Sequence, residues 1–194
     1  MADGTDHQRL QHPHGSGWAR YCPRCAHGLE DRRVDVEQRL RKVCPACGFI
    51  FYMNPKVVAA AVPRQGSDIW LLRRNIEPAH GLWTFPGGYV DLGETVPAAA
   101  VREAREETRL DIRLDGLLGI YSYPESAVVM VVYRATVVGG EPSPTPESLE
   151  VRRFGPDDIP WERLAFPSTR DALEDYLGIE AAPRGARKTP VGKE

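Results

Sequence analysis

Three glutamates on one face of a predicted helix most constrain what this chain can do. Residues 95–109 are predicted to be helical, with Thr95 as N-cap and a proline in the first turn. At about 100° per residue, Glu103, Glu106 and Glu107 share an arc of about 100°. Their repulsion destabilises an isolated helix, and a divalent cation would remove it. Carboxylates without His or Cys favour Mg²⁺ or Mn²⁺, whereas a solvated acidic face is the alternative.

Residues around these glutamates extend the pattern. A carbonyl of Gly87 or Gly88, in the loop before the helix, could add a metal ligand because the backbone there is bare. Arg102 is spaced to pair with Glu106 one turn on, or to reach back to Glu94. We predict that four residues on another arc pack the helix against the rest of the protein. We also predict that two alanines on the acidic face leave room for a ligand. The packing residues are Pro97, Val101, Ala104 and Thr108, and the alanines are Ala99 and Ala100.

The segment from Gly88 to Leu110 resembles the conserved box of the Nudix hydrolase family. Its pattern is Gly88-x5-Glu94-x7-Arg102-Glu103-Ala104-x-Glu106-Glu107-x-x-Leu110. It departs from the family at Arg109, where glycine is usual. That position ends the helix, where a left-handed residue is often needed, so arginine there costs about 1 kcal/mol.

This resemblance implies an α/β fold, an α/β/α sandwich with a mixed β-sheet, and hydrolysis of a diphosphate that links a nucleoside to another moiety. It implies that Glu103, Glu106 and Glu107 bind Mg²⁺ or Mn²⁺ with help from Gly87 or Gly88, and that Arg102 and Glu94 orient the box. The general base is left open. The candidates are Glu103 and Glu106 in the box and, in a later loop, Glu147, ranked first there, and Glu150.

Four cysteines form a second constellation, all before residue 48. They make two CxxC pairs, Cys22 with Cys25 and Cys44 with Cys47. This spacing is typical of a closed, structural Zn²⁺ site with four thiolate ligands. Unliganded thiols or a redox pair are the alternatives.

The cysteine module and three later motifs resemble the zinc-ribbon-containing Nudix subgroup. The motifs are Asn54–Val58, Arg73–Pro78 and Gly81–Gly88. Some members hydrolyse ADP-ribose or FAD, which implies a small nucleotide substrate here. The candidate substrate-binding residues are Gly87, Gly88, Phe85, Tyr123 and Arg73, and Trp83 and Tyr121 could also stack on a ring or belong to the core.

Other functions stay open at this point. NADH is the runner-up substrate, although the Ser-Gln-Pro-Trp-Pro-Phe signature of NADH pyrophosphatases is missing, and a capped RNA end is a further alternative. A function of another class is a non-catalytic nucleotide sensor whose ribbon binds nucleic acid. Nucleic-acid binding is not favoured, because the net charge of −2 excludes a polybasic protein that binds by bulk charge.

The remaining sequence predicts the organisation of the chain. We expect a disordered arm (1–20), a zinc ribbon (21–53), a Nudix-like domain (54–180) and a disordered tail (181–194). No apolar run is long enough for a membrane span and no secretory signal is present, so we expect a cytoplasmic protein, either monomer or homodimer. The predicted strands are 57–62, 69–74, 112–123, 127–138 and 149–154, with a loop at 82–93 and a second helix at 168–177 capped by Ser168.

Overall fold

A computed structural model describes residues 19–34 and 39–179. Its strands are β1 (Glu30–Val34), β2 (Arg39–Val43), β3 (Ile50–Phe51), β4 (Lys56–Gln65), β5 (Asp68–Arg74), β6 (Trp83–Thr84), β7 (Gly87–Tyr89), β8 (Leu110–Ser122), β9 (Val128–Gly140) and β10 (Ser148–Phe154). Its α-helices are α1 (Val96–Thr108) and α2 (Pro167–Leu177). The predicted tail, and all of the predicted arm before residue 19, lie outside the described residues.

The chain forms two compact units, and the smaller one contains the cysteines. That unit comprises the residues up to Pro55 together with Pro124–Ala127. Its sheet is antiparallel, with the strand order β1-β2-β3. Neither helix of the described residues is long and apolar enough to cross a membrane.

The larger unit is organised by strand β4, which lies at the centre of a seven-stranded sheet. The order is β10-β5-β4-β9-β8, with β6 beside β5 and β7 beside β4. Strand β4 is parallel to β9 and antiparallel to β5 and β7, so the sheet is mixed. Residues 58–63 of β4 are all buried. A strand buried on both faces requires a layer on each side of the sheet.

Alternation along β4 shows which helix covers which face. Ala59 and Ala61 pack in clusters with residues of α1, whereas Ala60 and Val62 pack in the cluster that contains Leu173 of α2. Successive side chains of a strand point to opposite faces, so α1 and α2 lie on opposite sides of the sheet. The α/β/α sandwich predicted from the sequence is therefore confirmed.

Helix α1 buries a different face from the predicted one. Thr95 is the N-cap as predicted, and its hydroxyl accepts the N–H of Ala98. The predicted packing stripe is wrong in half of its residues, because Val101 and Pro97 are exposed. The predicted space for a ligand beside two alanines is also wrong, because both are fully buried. The buried residues are Ala99, Ala100, Ala104, Glu107 and Thr108. Of the three glutamates, Glu107 therefore lies on the face that packs on the sheet, whereas Glu103 is half-buried and Glu106 is exposed.

Two further predictions of local structure need correction. The loop 82–93 contains the short strands β6 and β7. Helix α2 begins at Pro167 after Phe166, which makes no side-chain cap, so Ser168 lies inside the helix and is not its N-cap. Proline is favoured in the first turn of a helix, where its missing N–H costs nothing. Here the proline, and not a serine cap, marks the start of the helix. The helix ends at the left-handed Gly178, as predicted.

Arg109 ends α1 in the left-handed conformation that its position in the pattern suggested. Its φ is 63° and its N–H donates to the carbonyl of Arg105 at 3.0 Å. Strand β8 begins at the next residue, so this single residue turns the chain from helix to strand. A residue with a Cβ is strained in that conformation, whereas glycine is not.

We expect Arg109→Gly to stabilise the protein by about 0.5–1 kcal/mol, because glycine relieves the left-handed strain. The measurement is the free energy of unfolding from urea denaturation. Arg105→Gly is the matched control, since the same change inside the helix should destabilise by about 1 kcal/mol. An Arg109→Gly protein less stable than the wild type would contradict the account.

Candidate active site and cysteine cluster

Arg102 is the centre of the acidic site. Its Nη2 donates to Glu94 Oε1 at 2.6 Å and to the carbonyl of Tyr89 at 3.1 Å, and its Nε donates to Glu94 Oε2 at 3.1 Å. Its Nη1 donates to Glu103 Oε1 at 2.8 Å and to Glu106 Oε2 at 3.0 Å. These bonds raise the pKa of Arg102 and lower that of Glu94. Both pairings predicted for Arg102 are therefore present together, and they fix the loop before α1 to the helix.

Glu107 is the most deeply buried carboxylate of the site, with 5% of the residue exposed. Its Oε2 accepts the N–H of Gly87 at 2.8 Å. Desolvation raises its pKa to about 8, although the Gly87 N–H opposes the rise, and nearby Glu103 and Glu147 add to it. A buried carboxylate with negative neighbours favours a bound proton or a bound cation.

Glu103 lies against the backbone of Gly88. A Cβ built on Gly88 would overlap the Glu103 carboxylate, so a side chain there would displace that carboxylate from the backbone. A Cβ on Gly87 would lie 2.5 Å from Ala60 Cβ and 2.9 Å from the carbonyl of Ala59, so glycine is required at that position. Desolvation raises the pKa of Glu103. Since carboxylate and bare backbone lie together, this group of residues fits a divalent cation with oxygen ligands.

Glu106 differs from the other two glutamates because 59% of its side chain is exposed. Within the described ranges, the four cysteines are the one group whose candidate metal-binding atoms all lie within 4.8 Å of one another. The three glutamates are therefore spaced more widely than a closed cage of protein ligands. Wider spacing suits Mg²⁺ or Mn²⁺, which keep several waters and bridge to substrate phosphates.

Glu147 is held near the buried glutamates, whereas Glu150 is not. The carbonyl of Glu147 accepts the N–H of Asn75 at 2.9 Å, and the next residue, Ser148, donates its hydroxyl to the carbonyl of Glu107 at 2.9 Å. Glu147 also contributes to the raised pKa of Glu103 and of Glu107. Glu150 Oε2 lies 3.5 Å from Nε of Arg73. Of the two candidate bases in this loop, the structure brings Glu147 to the site.

Arg74, which the sequence pattern did not single out, pairs across β5 and β10 with Ser148, next to Glu147, whereas Arg73 lies beside Glu150. Glu107, Glu147 and Glu77 all act on the charge of Arg74, whose pKa is lowered by desolvation. The two arginines are neighbours in β5 and so point to opposite faces. The sequence gives little basis for choosing between Arg73 and Arg74, since both follow an apolar stretch of strand that does not show which of them faces the site.

Most of the aromatic candidates lie in the core. Phe85 is 2% exposed and packs in one cluster with Trp83 and Tyr121. Tyr121 donates its hydroxyl to Asp175 of α2 at 3.0 Å. These positions favour the core alternative for the three residues. Tyr123 is half-buried and donates to Asp171 at 2.8 Å, so it remains a candidate for substrate binding.

The four cysteines of the smaller unit converge on one point. The Sγ atoms of Cys25 and Cys44 lie 3.5 Å apart, and Cys47 Sγ lies 3.6 Å from both Cys22 Sγ and Cys25 Sγ. Zinc–sulfur bonds of about 2.3 Å give edges of about 3.8 Å in a tetrahedron, so these distances suit a single bound ion. The cysteines are unpaired by disulfides.

Two similar turns place these sulfurs. The N–H of Cys22 donates to His27 and the N–H of Ala26 donates back to Cys22, and the bonds of Cys44 with Phe49 and Gly48 repeat the arrangement. Ala26 and Gly48, each just after the second cysteine of a pair, are left-handed. Desolvation opposes ionisation of the Cys44 thiol, but hydrogen bonds from Cys47 and Cys25 outweigh it and lower its pKa to about 6. A thiolate is the form that binds metal.

Comparison with known proteins places this geometry in a family. The NUDIX domain model matches residues 53–176, and the Nudix N-terminal model, a zinc ribbon, matches residues 20–53. The chain belongs to the Nudix hydrolase family. The structure is similar to a crystal structure of a NUDIX hydrolase from Nitrosomonas europaea, with a TM-score of 0.79 and 34% identity over 82% of this chain and 91% of that one. The family resemblance and the predicted enzyme class are confirmed.

Two curated relatives have more specific names. An ADP-ribose pyrophosphatase from Methanocaldococcus jannaschii is 34% identical over 130 residues, 65% of this chain and 75% of the relative. An NAD-capped RNA hydrolase NudC from Stutzerimonas stutzeri is 29% identical over 175 residues, 89% of this chain. The matched part is 59% of that relative's length. The Nudix family members this chain resembles are therefore hydrolases of more than one substrate.

We expect the metal-free Nudix chain to lose stability as pH rises from 4.5 to 8. The folded pKa of Glu107 is raised to about 8 from 4.5, so the folded state holds the proton more tightly than the unfolded state. Stability is present below the unfolded pKa and is lost, by about 1.4 kcal/mol per unit at most, up to the folded pKa.

The test is the free energy of unfolding of wild type and Glu107→Gln in EDTA, from pH 4.5 to 8. The advantage of the variant should grow with pH, since glutamine keeps an acceptor for Gly87 and carries no charge. Added Mg²⁺ should stabilise the wild type more than the variant. A difference between the two proteins that is constant with pH would contradict the burial argument.

Proposed function

We propose that this chain hydrolyses the diphosphate linkage of a nucleoside diphosphate joined to another moiety, with ADP-ribose or FAD as substrate. The observation that carries the proposal is a pair of carboxylates, the buried Glu107 and the half-buried Glu103, against the bare backbone of Gly87 and Gly88. The name of the M. jannaschii relative supports ADP-ribose.

The metals proposed for the acidic site are Mg²⁺ or Mn²⁺, held by Glu103, Glu106, Glu107 and the carbonyl of Gly88. When bound, such ions neutralise diphosphate oxygens and favour ionisation of a water molecule. Arg102 contributes by holding Glu103 and Glu106 on one side of the site through its Nη1. Glu94 holds the other edge of the same guanidinium. These contacts fix the carboxylates before substrate binds, which avoids reorganisation during the reaction.

Glu147 is the proposed general base. It takes a proton from the attacking water, whose oxygen forms a new bond to one phosphorus while the bond from that phosphorus to the bridging oxygen breaks. The bridging oxygen leaves with the other phosphate, so ADP-ribose and water give AMP and ribose 5-phosphate. Anchoring of the loop by Asn75 and Ser148 supports this role, because a base must be held in place to act.

NADH or a nicotinamide-capped RNA end is the second candidate substrate. The NudC relative matches 89% of this chain, including the ribbon, and favours this alternative. We therefore propose a small nucleotide as the substrate. Hydrolysis of capped RNA in a panel of substrates would instead favour a polynucleotide. The family resemblance also leaves the homodimer as a prediction, which sedimentation velocity would test.

Purified chain with Mg²⁺ or Mn²⁺ should hydrolyse ADP-ribose or FAD, with release of AMP, faster than it hydrolyses NADH, nucleotide sugars or capped RNA. The measurement is product analysis by chromatography. Glu107→Gln should lower kcat by several orders of magnitude with the fold retained, whereas Glu141→Gln, an exposed glutamate outside the site, should match wild type. No turnover on the whole panel with either metal would refute the proposed reaction and favour a nucleotide sensor.

Glu147→Gln should lower kcat about 10²- to 10⁴-fold without a matching change in KM, since a general base acts in the transition state. Glu150→Gln is the comparison variant. Glu150 is three residues further along the chain, and its carboxylate lies beside Arg73. A larger loss of kcat in Glu150→Gln than in Glu147→Gln would transfer the role of base to Glu150.

The cysteine cluster is proposed to hold one structural Zn²⁺ ion per chain, bound by Cys22, Cys25, Cys44 and Cys47. Four thiols that lie within 4.8 Å of one another without disulfides also support a cytoplasmic location, where thiols stay reduced. Elemental analysis should give a ratio near one zinc per chain, and Cys25→Ser should lower it. A ratio near zero with four reactive thiols would exclude the site.

A further inference from the structure

We propose that Arg74 binds the diphosphate of the substrate and holds it beside Glu107 and Glu147. This inference rests on the proposed function and names a residue of the same site that the sequence pattern did not select. Three observations support it, namely how the side chain is held, which charges surround it and which of its nitrogens are unused.

The side chain of Arg74 is fixed on two sides. Its Nε donates to the carbonyl of Pro78 at 2.9 Å, and its guanidinium lies 5.1 Å from the centre of the Phe166 ring. Its backbone is fixed as well, because its N–H donates to Leu82 and its carbonyl accepts the N–H of Gly81, both at 2.9 Å. A guanidinium that is already ordered loses little entropy on binding an anion.

The surroundings of Arg74 are acidic. Its partner across β5 and β10 is Ser148, whose hydroxyl donates to the carbonyl of Glu107, and the N–H of Asn75, the residue after Arg74, donates to the carbonyl of Glu147, both at 2.9 Å. Glu107, Glu147 and Glu77 act on the charge of Arg74. These carboxylates repel the negative charge of a diphosphate, and a protein cation beside them reduces that repulsion in addition to any bound metal ion. Arg74 provides that charge on the side of the site formed by the end of β5, whereas Arg102 lies on the side formed by α1.

The hydrogen-bonding capacity of the two arginines differs. All three nitrogens of Arg102 donate to the carboxylates of the box or to Tyr89, so none is left for a phosphate. For Arg74, only the Nε bond to Pro78 is found among the described residues, and its two terminal nitrogens have no hydrogen-bond partner there. Two free parallel N–H groups match the geometry of a phosphate, which they bind in bidentate fashion.

The test compares the binding of ADP and of adenosine to wild type, Arg74→Ala and Arg74→Lys by titration calorimetry. Arg74→Ala should weaken ADP binding about 10- to 100-fold, the value of one charge-assisted contact, and leave adenosine binding unchanged. Arg74→Lys should restore part of the affinity, because it keeps the charge without the fork. Arg74→Ala should also raise KM for the hydrolysed substrate.

Arg152→Ala is the matched control. Arg152 also stacks on a ring, that of Phe154 at 5.0 Å, and it lies in the strand beside β5, paired with Leu71 and not with Arg74. Thermal unfolding of each variant checks the fold, and Arg74→Lys serves if Arg74→Ala is unfolded. ADP affinity within twofold of wild type in a folded Arg74→Ala, or no ADP binding by wild type, would overturn the proposal.

Hydrolysis of ADP-ribose and binding of ADP test the proposed function and the role of Arg74 separately. If wild type hydrolyses ADP-ribose and Arg74→Ala keeps its KM and ADP affinity, the function stands and the role of Arg74 is refuted. If wild type hydrolyses nothing on the panel but binds ADP in a manner that depends on Arg74, the binding role stands and the enzymatic function is refuted.

Discussion

The contact between the buried carboxylate of Glu107 and the backbone of Gly87 is the interaction on which the rest of the site depends. It connects the last turn of α1 to strand β7, which pairs with the central strand β4. A carboxylate in this position is costly, since burial disfavours its charged form. The alanines of α1 that pack on the sheet let helix and strand come close together, so that the Glu107 carboxylate reaches the N–H of Gly87. This hydrogen bond offsets part of the cost of burial. A more bulky interface would separate carboxylate and backbone.

The end of α1 turns this local contact into a complete site. Left-handed Arg109 directs the chain into β8, and Ser148, at the start of β10, donates to the carbonyl of Glu107. One residue of the helix thus receives a backbone donor from β7 at its side chain and a hydroxyl donor from β10 at its carbonyl. Glu147 is the residue before that serine, so its place near the acidic face follows from the same hydrogen bond.

Much of this arrangement could be predicted from the sequence, because spacing determines which residues share a face. The shared arc of the three glutamates and the pairing of Arg102 with Glu106 follow from the fixed period of a helix. The two cysteine turns follow from the short CxxC spacing. Spacing does not say which face is buried. Charged arcs usually face solvent, so Ala99 and Ala100 were expected to leave space and are instead buried. Arg74 was missed for a related reason, since its environment depends on Glu147, which is distant in sequence.

A division of roles between two arginines follows from how many of their nitrogens are used. Arg102 is saturated by carboxylates, so it organises the protein side of the site and maintains the positions of Glu94, Glu103 and Glu106. Arg74 is held at one nitrogen and by one ring, and within residues 19–34 and 39–179 its two terminal nitrogens have no hydrogen-bond partner. An acidic site that must accept an anionic substrate needs both kinds of cation. One counters repulsion among the carboxylates, and the other counters repulsion between the carboxylates and the substrate.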